Sequence, residues 1–261
     1  MKKIAPLIAL FLLLGLVLAY SISESAAYPA HKGSSFRSGQ LSNARVKAAY
    51  KLKWNGIRKQ LARLGTDSTS FQLFLRAFKT EGEFEIWVKS ARQSEFKLYA
   101  QWPICSASGT PGPKRCQGDA QVPEGFYHIN VFNPASAYHL SLGVSYPNAS
   151  DKVFACKKDP GGAIMIHGNC VTIGCIPLTD DKIRELYVLA VEAKDAGQQK
   201  IPVHIFPARM SNEKMAALKK EYTDAAVHKF WSNLQPGYNA FENSHKLPAI
   251  SIDAKGKYVV N

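Results

Sequence analysis

Ile166-His167-Gly168-Asn169-Cys170-Val171-Thr172-Ile173-Gly174-Cys175-Ile176-Pro177-Leu178 decides how this chain folds and what it can do. The apolar stretch Ile164 to His167 predicts a short buried strand. Beyond Leu178, Thr179-Asp180-Asp181 predicts a helix start with Thr179 or Asp180 as cap. Ile183, Leu186, Tyr187 and Ala190 then share one face, and Gly197 ends the helix. A histidine thus closes a strand, and a short loop carries Gly-Cys to a capped helix. A thiol nucleophile needs a nearby base, and an oriented histidine supplies one. This makes Cys175 the candidate nucleophile and His167 its general base and acid. Gly174 lets backbone and substrate approach closely, and the amides around Cys175 are candidates to face an oxyanion.

Two other uses of the same residues compete. His167, Cys170 and Cys175 form a His-x2-Cys-x4-Cys set that zinc could use, although a fourth ligand is missing locally. A disulfide is the other use, and Cys170 suits it better than Cys175, with Cys105 as a candidate partner. The chain has five cysteines, so internal pairing leaves at least one thiol over.

Upstream the pattern is that of strands. Phe71 to Phe78 is apolar and aromatic, Thr80 to Glu83 predicts a turn, and Phe84, Ile86 and Val88 alternate with more polar neighbours. Phe96, Leu98 and Ala100 alternate again, so a β-meander is expected. Ser106–Gly118 predicts a loop. Phe126 to Phe132, His139 to Val144 and Val203 to Phe206 predict further strands. Residues 212–234 predict one or two amphipathic helices, the tail from Pro236 a loop, and Lys257 to Val260 a last strand. The class is mainly β with peripheral helices.

The N-terminus has the layout of an export signal. Met1, Lys2 and Lys3 precede an apolar run over residues 4–20, and small residues follow. Residues 1–21 are expected to be a signal peptide or a membrane anchor, and residues 22–42 a spacer. Residues 43–66 predict a basic amphipathic helix with Tyr50, Trp54, Ile57, Leu61 and Leu64 on one face. That face suits packing on the domain better than a membrane surface. Export implies a periplasmic or cell-envelope location. The net charge of +13 suits an anionic envelope. Export, and the lack of a DNA-reading helix or RNA motif, exclude nucleic acid as partner.

Three stretches carry a resemblance. Ile166-His167-Gly168 followed by Gly174-Cys175 resembles the active-site signature of the YkuD-type L,D-transpeptidases. Gly112 to Arg115, Gln117-Gly118-Asp119 and Val122 to Tyr127 resemble the segment that precedes that site, and Ile205 to Met210 is similar to the closing strand. The loop is similar to that of the YafK/DpaA-like branch, whereas commoner members carry Ser/Thr-His-Gly-Cys. The resemblance implies a catalytic β-sandwich over residues 70–210 with a helical C-terminal extension over 211–261. It implies cysteine acyl transfer on peptidoglycan stem peptides without a cofactor or a metal. Cys175 would form the thioester, and the Gly168 carbonyl would orient His167. A stem amine would resolve the thioester as a cross-link. Water would resolve it as an amidase, with a wall-anchored lipoprotein as a possible partner. Lys114, Asp119, Asn169, Thr172 and Tyr127 are candidate substrate contacts. Lys114 and Asp119 could equally hold their own loop, and Tyr127 suits packing better than binding. The competing function is a non-catalytic or zinc-stabilised wall-binding domain.

Overall fold

The computed structural model describes residues 35–156 and 159–261. The expected signal or anchor, and residues 22–34 of the expected spacer, lie outside the described residues. Among the described residues no helix is long and apolar enough to cross a membrane.

The remainder of the expected spacer is ordered. Ser35 caps a short helix, α1 (Phe36–Gln40), by accepting from the Ser38 amide. Arg37 fastens it through an ion pair to Glu192 at 3.2 Å. Asn43 caps α2 (Ala44–Arg63), which buries Val46, Ala49, Ile57 and Leu61. Ile57 and Leu61 belong to the face expected from sequence, while Tyr50, Trp54 and Leu64 pack only partly buried at its edge. The basic outer face is solvated, so α2 packs on the domain.

Three antiparallel strands form the expected meander: β1 (Phe71–Phe78), β2 (Glu83–Ser90) and β3 (Lys97–Pro103). β4 (Gly125–Asn133) and β5 (Ser141–Val144) form a hairpin. A short helix, α3 (Ala149–Val153), precedes β6 (Met165–His167) and β7 (Ile176–Pro177). The long helix α4 (Asp180–Asp195) then leads to β8 (Pro202–Phe206). The eight strands make one sheet in the order β3-β2-β1-β8-β4-β5-β6-β7. Its register shifts in β4 between Ile129 and Val131, and such a bulge bends a strand. Residues from both wings, including Leu75, Ile86, Leu142 and Ile166, share one core cluster with the buried residues of α2 and α4. This is the mainly β class with peripheral helices that the sequence predicts.

His139 lies outside β5, in the preceding turn, with φ 70°. The C-terminus is more regular than its sequence implies. α5 (Asn212–Glu221) and α6 (Ala225–Ser244) are helices, and α6 continues through Pro236. A proline inside a helix forfeits one backbone bond and costs about 3 kcal/mol. Burial of Tyr238 and Phe241 beyond it offsets that cost. A hairpin of β9 (Ile250–Ile252) and β10 (Tyr258–Val260) closes the chain. It is held to α6 by paired hydrogen bonds between Asn233 and the Tyr258 backbone, each 2.8 Å.

Candidate active site

Two adjacent strands build the site. β6 and β7 run parallel, with Ile166 beside Ile176 and His167 beside Pro177. Ile166 and Ile176 point into the core at 0% and 1% exposure. Alternation therefore turns His167, and Cys175 at the foot of β7, to the opposite face. The Met165 amide donates to the Cys175 thiol at 3.4 Å, and the thiol reaches the Ala163 carbonyl at 3.8 Å. Cys175 is the one free cysteine.

The other four cysteines pair as Cys105–Cys170 and Cys116–Cys156. The first bond removes Cys170 from the zinc set. It also ties the active-site loop to the end of the meander, beside the Cys105 amide that donates to the Pro177 carbonyl at 3.1 Å. The second ties down the loop before β4.

His167 is buried, at 2% exposure. Its Nδ1 lies 2.5 Å from the Gly168 carbonyl, and Tyr138 covers the ring at 4.7 Å between centroids. A carbonyl only accepts, so Nδ1 carries the hydrogen and Nε2 keeps a lone pair in the neutral ring. Burial pushes His167 below its ordinary 6.5, against the opposing hydrogen bond to Gly168. Burial also pushes the Cys175 thiol above its ordinary 9.0, against the Met165 amide and the charge of Lys114. Both partners therefore rest uncharged.

Gly168 must be glycine for space. A Cβ there would lie 2.6 Å from Asp180 Oδ1 and 3.0 Å from the Tyr138 carbonyl. Gly174 must be glycine for conformation and space. Its φ is +130°, and a Cβ would lie 3.0 Å from the Gln121 carbonyl.

Thr172 sits behind the nucleophile. Its Oγ1 accepts from the Cys175 amide at 2.8 Å and the Gly174 amide at 3.2 Å, and donates to the Cys175 carbonyl at 2.8 Å. These two amides are the ones expected to face an oxyanion, and here Thr172 occupies both. Asn169 is exposed, with φ 59°, and its amide donates to Asp180 Oδ1 at 2.9 Å.

The other candidates serve the scaffold. Lys114 donates to Asp119 at 2.6 Å and to the Cys116 carbonyl at 2.8 Å. Burial acts to raise the Asp119 carboxyl, but Lys114 and the amides of Cys116, Arg115 and Gln121 hold it below its ordinary value. The pair is a staple within the 112–121 loop. Tyr127 is buried, and its hydroxyl bonds to the Glu124 carbonyl and to Asp151, both at 3.0 Å. It packs inside the domain and does not face the thiol cleft.

Sequence reasoning missed several residues around the thiol. A small cavity of about 80 Å³ at Cys175 is bounded in part by Lys79, Ile104, Ser108, Thr110 and Val122. The Lys79 ammonium bonds to the Gly112 and Val122 carbonyls and to Glu124, at 2.6, 3.0 and 3.0 Å. Glu124, fully buried, also accepts from Trp231 Nε1 at 2.8 Å. A lone lysine after a strand carries no local signal for this, nor does Tyr138 in a turn.

A family model for the L,D-transpeptidase catalytic domain matches residues 84–205. The chain is 36% identical over 191 residues to the Escherichia coli (strain K12) protein named "Putative L,D-transpeptidase YafK". That match covers 72% of this chain and 74% of the relative. Its counterpart of the same name in Escherichia coli O157:H7 matches equally. Among solved structures, the helical cell shape determining protein Pgp2 from Campylobacter jejuni aligns at a TM-score of 0.42 and 17% identity, covering 78% of this chain and 97% of that one. Bd1075 from Bdellovibrio bacteriovorus aligns at 0.37 and 16% identity, covering 71% and 76%. Sequence alone carries the assignment: the chain belongs to the L,D-transpeptidase family, with the YkuD-type catalytic domain.

Proposed function

We propose that this protein is a cysteine acyltransferase of the cell envelope that acts on peptidoglycan stem peptides through a thioester at Cys175. The observation that supports this best is the unpaired Cys175 thiol on the same sheet face as a histidine held by its neighbour's carbonyl. Family membership adds the substrate class.

In the proposed reaction, His167 Nε2 takes the thiol proton as sulfur attacks the carbonyl at the L-centre of the stem's diamino acid. The C–S bond forms and the carbonyl electrons move to oxygen. Collapse breaks the C–N bond, and His167 returns the proton to the departing amine. An amine or water then adds to the thioester and gives its proton to His167; the C–S bond breaks, and His167 returns that proton to the departing Cys175 sulfur. An amine yields a cross-link, and water yields hydrolysis with release of whatever was attached. For an oxyanion to use the Gly174 and Cys175 amides, Thr172 must turn away from them. Export is supported by the basic-then-apolar N-terminus and by two disulfides in one chain.

Muropeptide mass spectrometry tests this on two purified walls, one bare and one carrying covalently attached protein, with Cys175→Ala as control. New diamino-acid cross-links or exchanged terminal D-residues identify a transpeptidase. Released protein, or cross-links lost without new bonds, identifies an amidase. Identical products from wild type and Cys175→Ala on both walls would sink the reading.

A further inference from the structure

A groove of about 710 Å³ lies beyond the thiol cavity, between the 110–121 loop, the start of α6 and the β9–β10 hairpin. Thr110 and Pro111 line both spaces, so the groove and the Cys175 cavity share one ledge. That ledge is fixed by two hydrogen bonds between Thr110 and Gln121, at 3.1 and 3.2 Å. The Gln121 carbonyl in turn packs against Gly174. An extended substrate whose carbonyl sits at Cys175 would cross this ledge into the groove.

The groove carries one sign of charge. Lys229, Lys255, Lys257 and Arg115 line it, against the single carboxylate of Asp224. Asp224 is already spent on the Ala226 and Val227 amides as the cap of α6. Among the described residues none of the three lysines makes an ion pair, although all three are exposed. Arg115 is clamped between Phe154 and Phe230, at 5.2 and 4.6 Å from their rings. It approaches Asp151 at 3.5 Å, while its Nη1 makes no hydrogen bond. Phe154 and Val227 give the floor an apolar strip. Unpaired cations around an apolar strip select a ligand with several carboxylates on a short flexible backbone. The three lysines lie outside residues 84–205, so the C-terminal extension supplies them.

We infer that this groove is a substrate subsite, in which the lysines of the C-terminal extension hold the free carboxylates of the peptide whose carbonyl reacts at Cys175. The inference rests on the peptide-acylation reading of Cys175. It assigns the extension a role in selecting carboxylate-bearing over amidated stems.

Binding to the full chain carrying Cys175→Ala separates the two ideas, because it needs no turnover. The probes are synthetic L-Ala–γ-D-Glu–diaminopimelyl–D-Ala and the same peptide with its carboxylates amidated. The free acid should bind roughly tenfold tighter, the effect of a few exposed charge pairs. The combined substitution Lys229→Gln, Lys255→Gln, Lys257→Gln should abolish that preference, and Lys→Arg at the same three positions should keep it. Equal affinities, no binding of either peptide, or a preference that survives the glutamine variant would overturn the inference. So would lysine-dependent binding of phosphatidylglycerol vesicles without peptide binding. If lysine-dependent preference appears but wild type leaves both walls unchanged, the subsite stands and the catalytic reading falls. Turnover on walls without the preference gives the reverse.

Discussion

His167 Nδ1 lies 2.5 Å from the carbonyl oxygen of Gly168, the residue that follows it in the chain. The contact fixes the tautomer and leaves the Nε2 lone pair free to accept a proton. With burial lowering His167 and raising Cys175, the resting pair is imidazole and thiol rather than an ion pair. A base must be unprotonated to accept, so activity is present above the His167 pKa and lost below it. The acid limb of kcat/KM should therefore fall below pH 6.5, the ordinary value from which burial lowers this histidine. The alkaline limb should begin only above pH 9.0. Stopped-flow acylation across pH 4–10 checks this. An acid limb with its midpoint above 7 would instead mark a thiolate that must form first.

Thr172 holds the nucleophile's backbone through three hydrogen bonds. Thr172→Val keeps the shape and removes all three. It should cost about 1–3 kcal/mol of stability. It should slow acylation roughly a hundredfold, because the loss of a fixed thiol outweighs the two amides that the change frees for the oxyanion. Thr172→Ser should retain both. Thermal unfolding and burst kinetics on the same samples read the two effects. A valine variant of unchanged acylation rate would show that the loop is held by the Cys105–Cys170 bond alone.

The strands and the main helix were legible because their periods are strong. Phe71 to Phe78 is buried at nearly every position, and Thr179-Asp180-Asp181 opens α4. Cys175 and His167 were legible because a strand, a short loop and a Gly-Cys step place them close in sequence. The rest depends on packing that no local pattern encodes. Pro236 reads as a breaker, yet Tyr238 and Phe241 after it hold α6 to the sheet, packed against Phe206 and Phe74 respectively. Tyr127 reads as part of a site motif, but Asp151, 24 residues away, takes its hydroxyl into the interior. Three of the four cations of the groove come from α6 and a hairpin whose first strand has only three residues.

Gly168 has a packing role that substitution should expose. Its Cβ would meet Asp180 Oδ1 first, at 2.6 Å, and then Ile183 Cγ2 and the Tyr138 carbonyl, each at 3.0 Å. Gly168→Ala should cost about 1–3 kcal/mol, as overpacking does. It should also move the carbonyl that holds His167. Acylation should fall with the circular dichroism spectrum intact. Asp180→Ala removes the nearer obstacle but also the acceptor of the Asn169 amide, so the cost of Gly168→Ala should be smaller when measured in the Asp180→Ala background, and not zero, since Ile183 and the Tyr138 carbonyl remain. Loss that Asp180→Ala does nothing to relieve would place the clash elsewhere.

His204 adds to the acid sensitivity of the fold. It sits in β8 with its ring edge-on to Phe74 and Phe126 at 4.6 and 4.8 Å, and its buried Nδ1 has no hydrogen-bond partner. Burial, with Arg76 nearby, pushes it down to about 3 from 6.5. Between those values the unfolded chain binds a proton that the folded chain refuses. The stability tied to neutral His204 is thus complete above pH 6.5 and is lost as pH falls toward 3. The loss approaches about 1.4 kcal/mol per pH unit within that window. Asp151 works in the opposite sense, since burial raises its carboxyl to about 6, but it does so in wild type and variant alike. His204→Leu should therefore gain on wild type steadily as pH falls from 6.5, whatever packing change it brings at pH 7. Urea unfolding at successive pH values measures that difference. A difference constant with pH would mean that His204 is charged inside the fold, or that the strand opens locally to let the proton in.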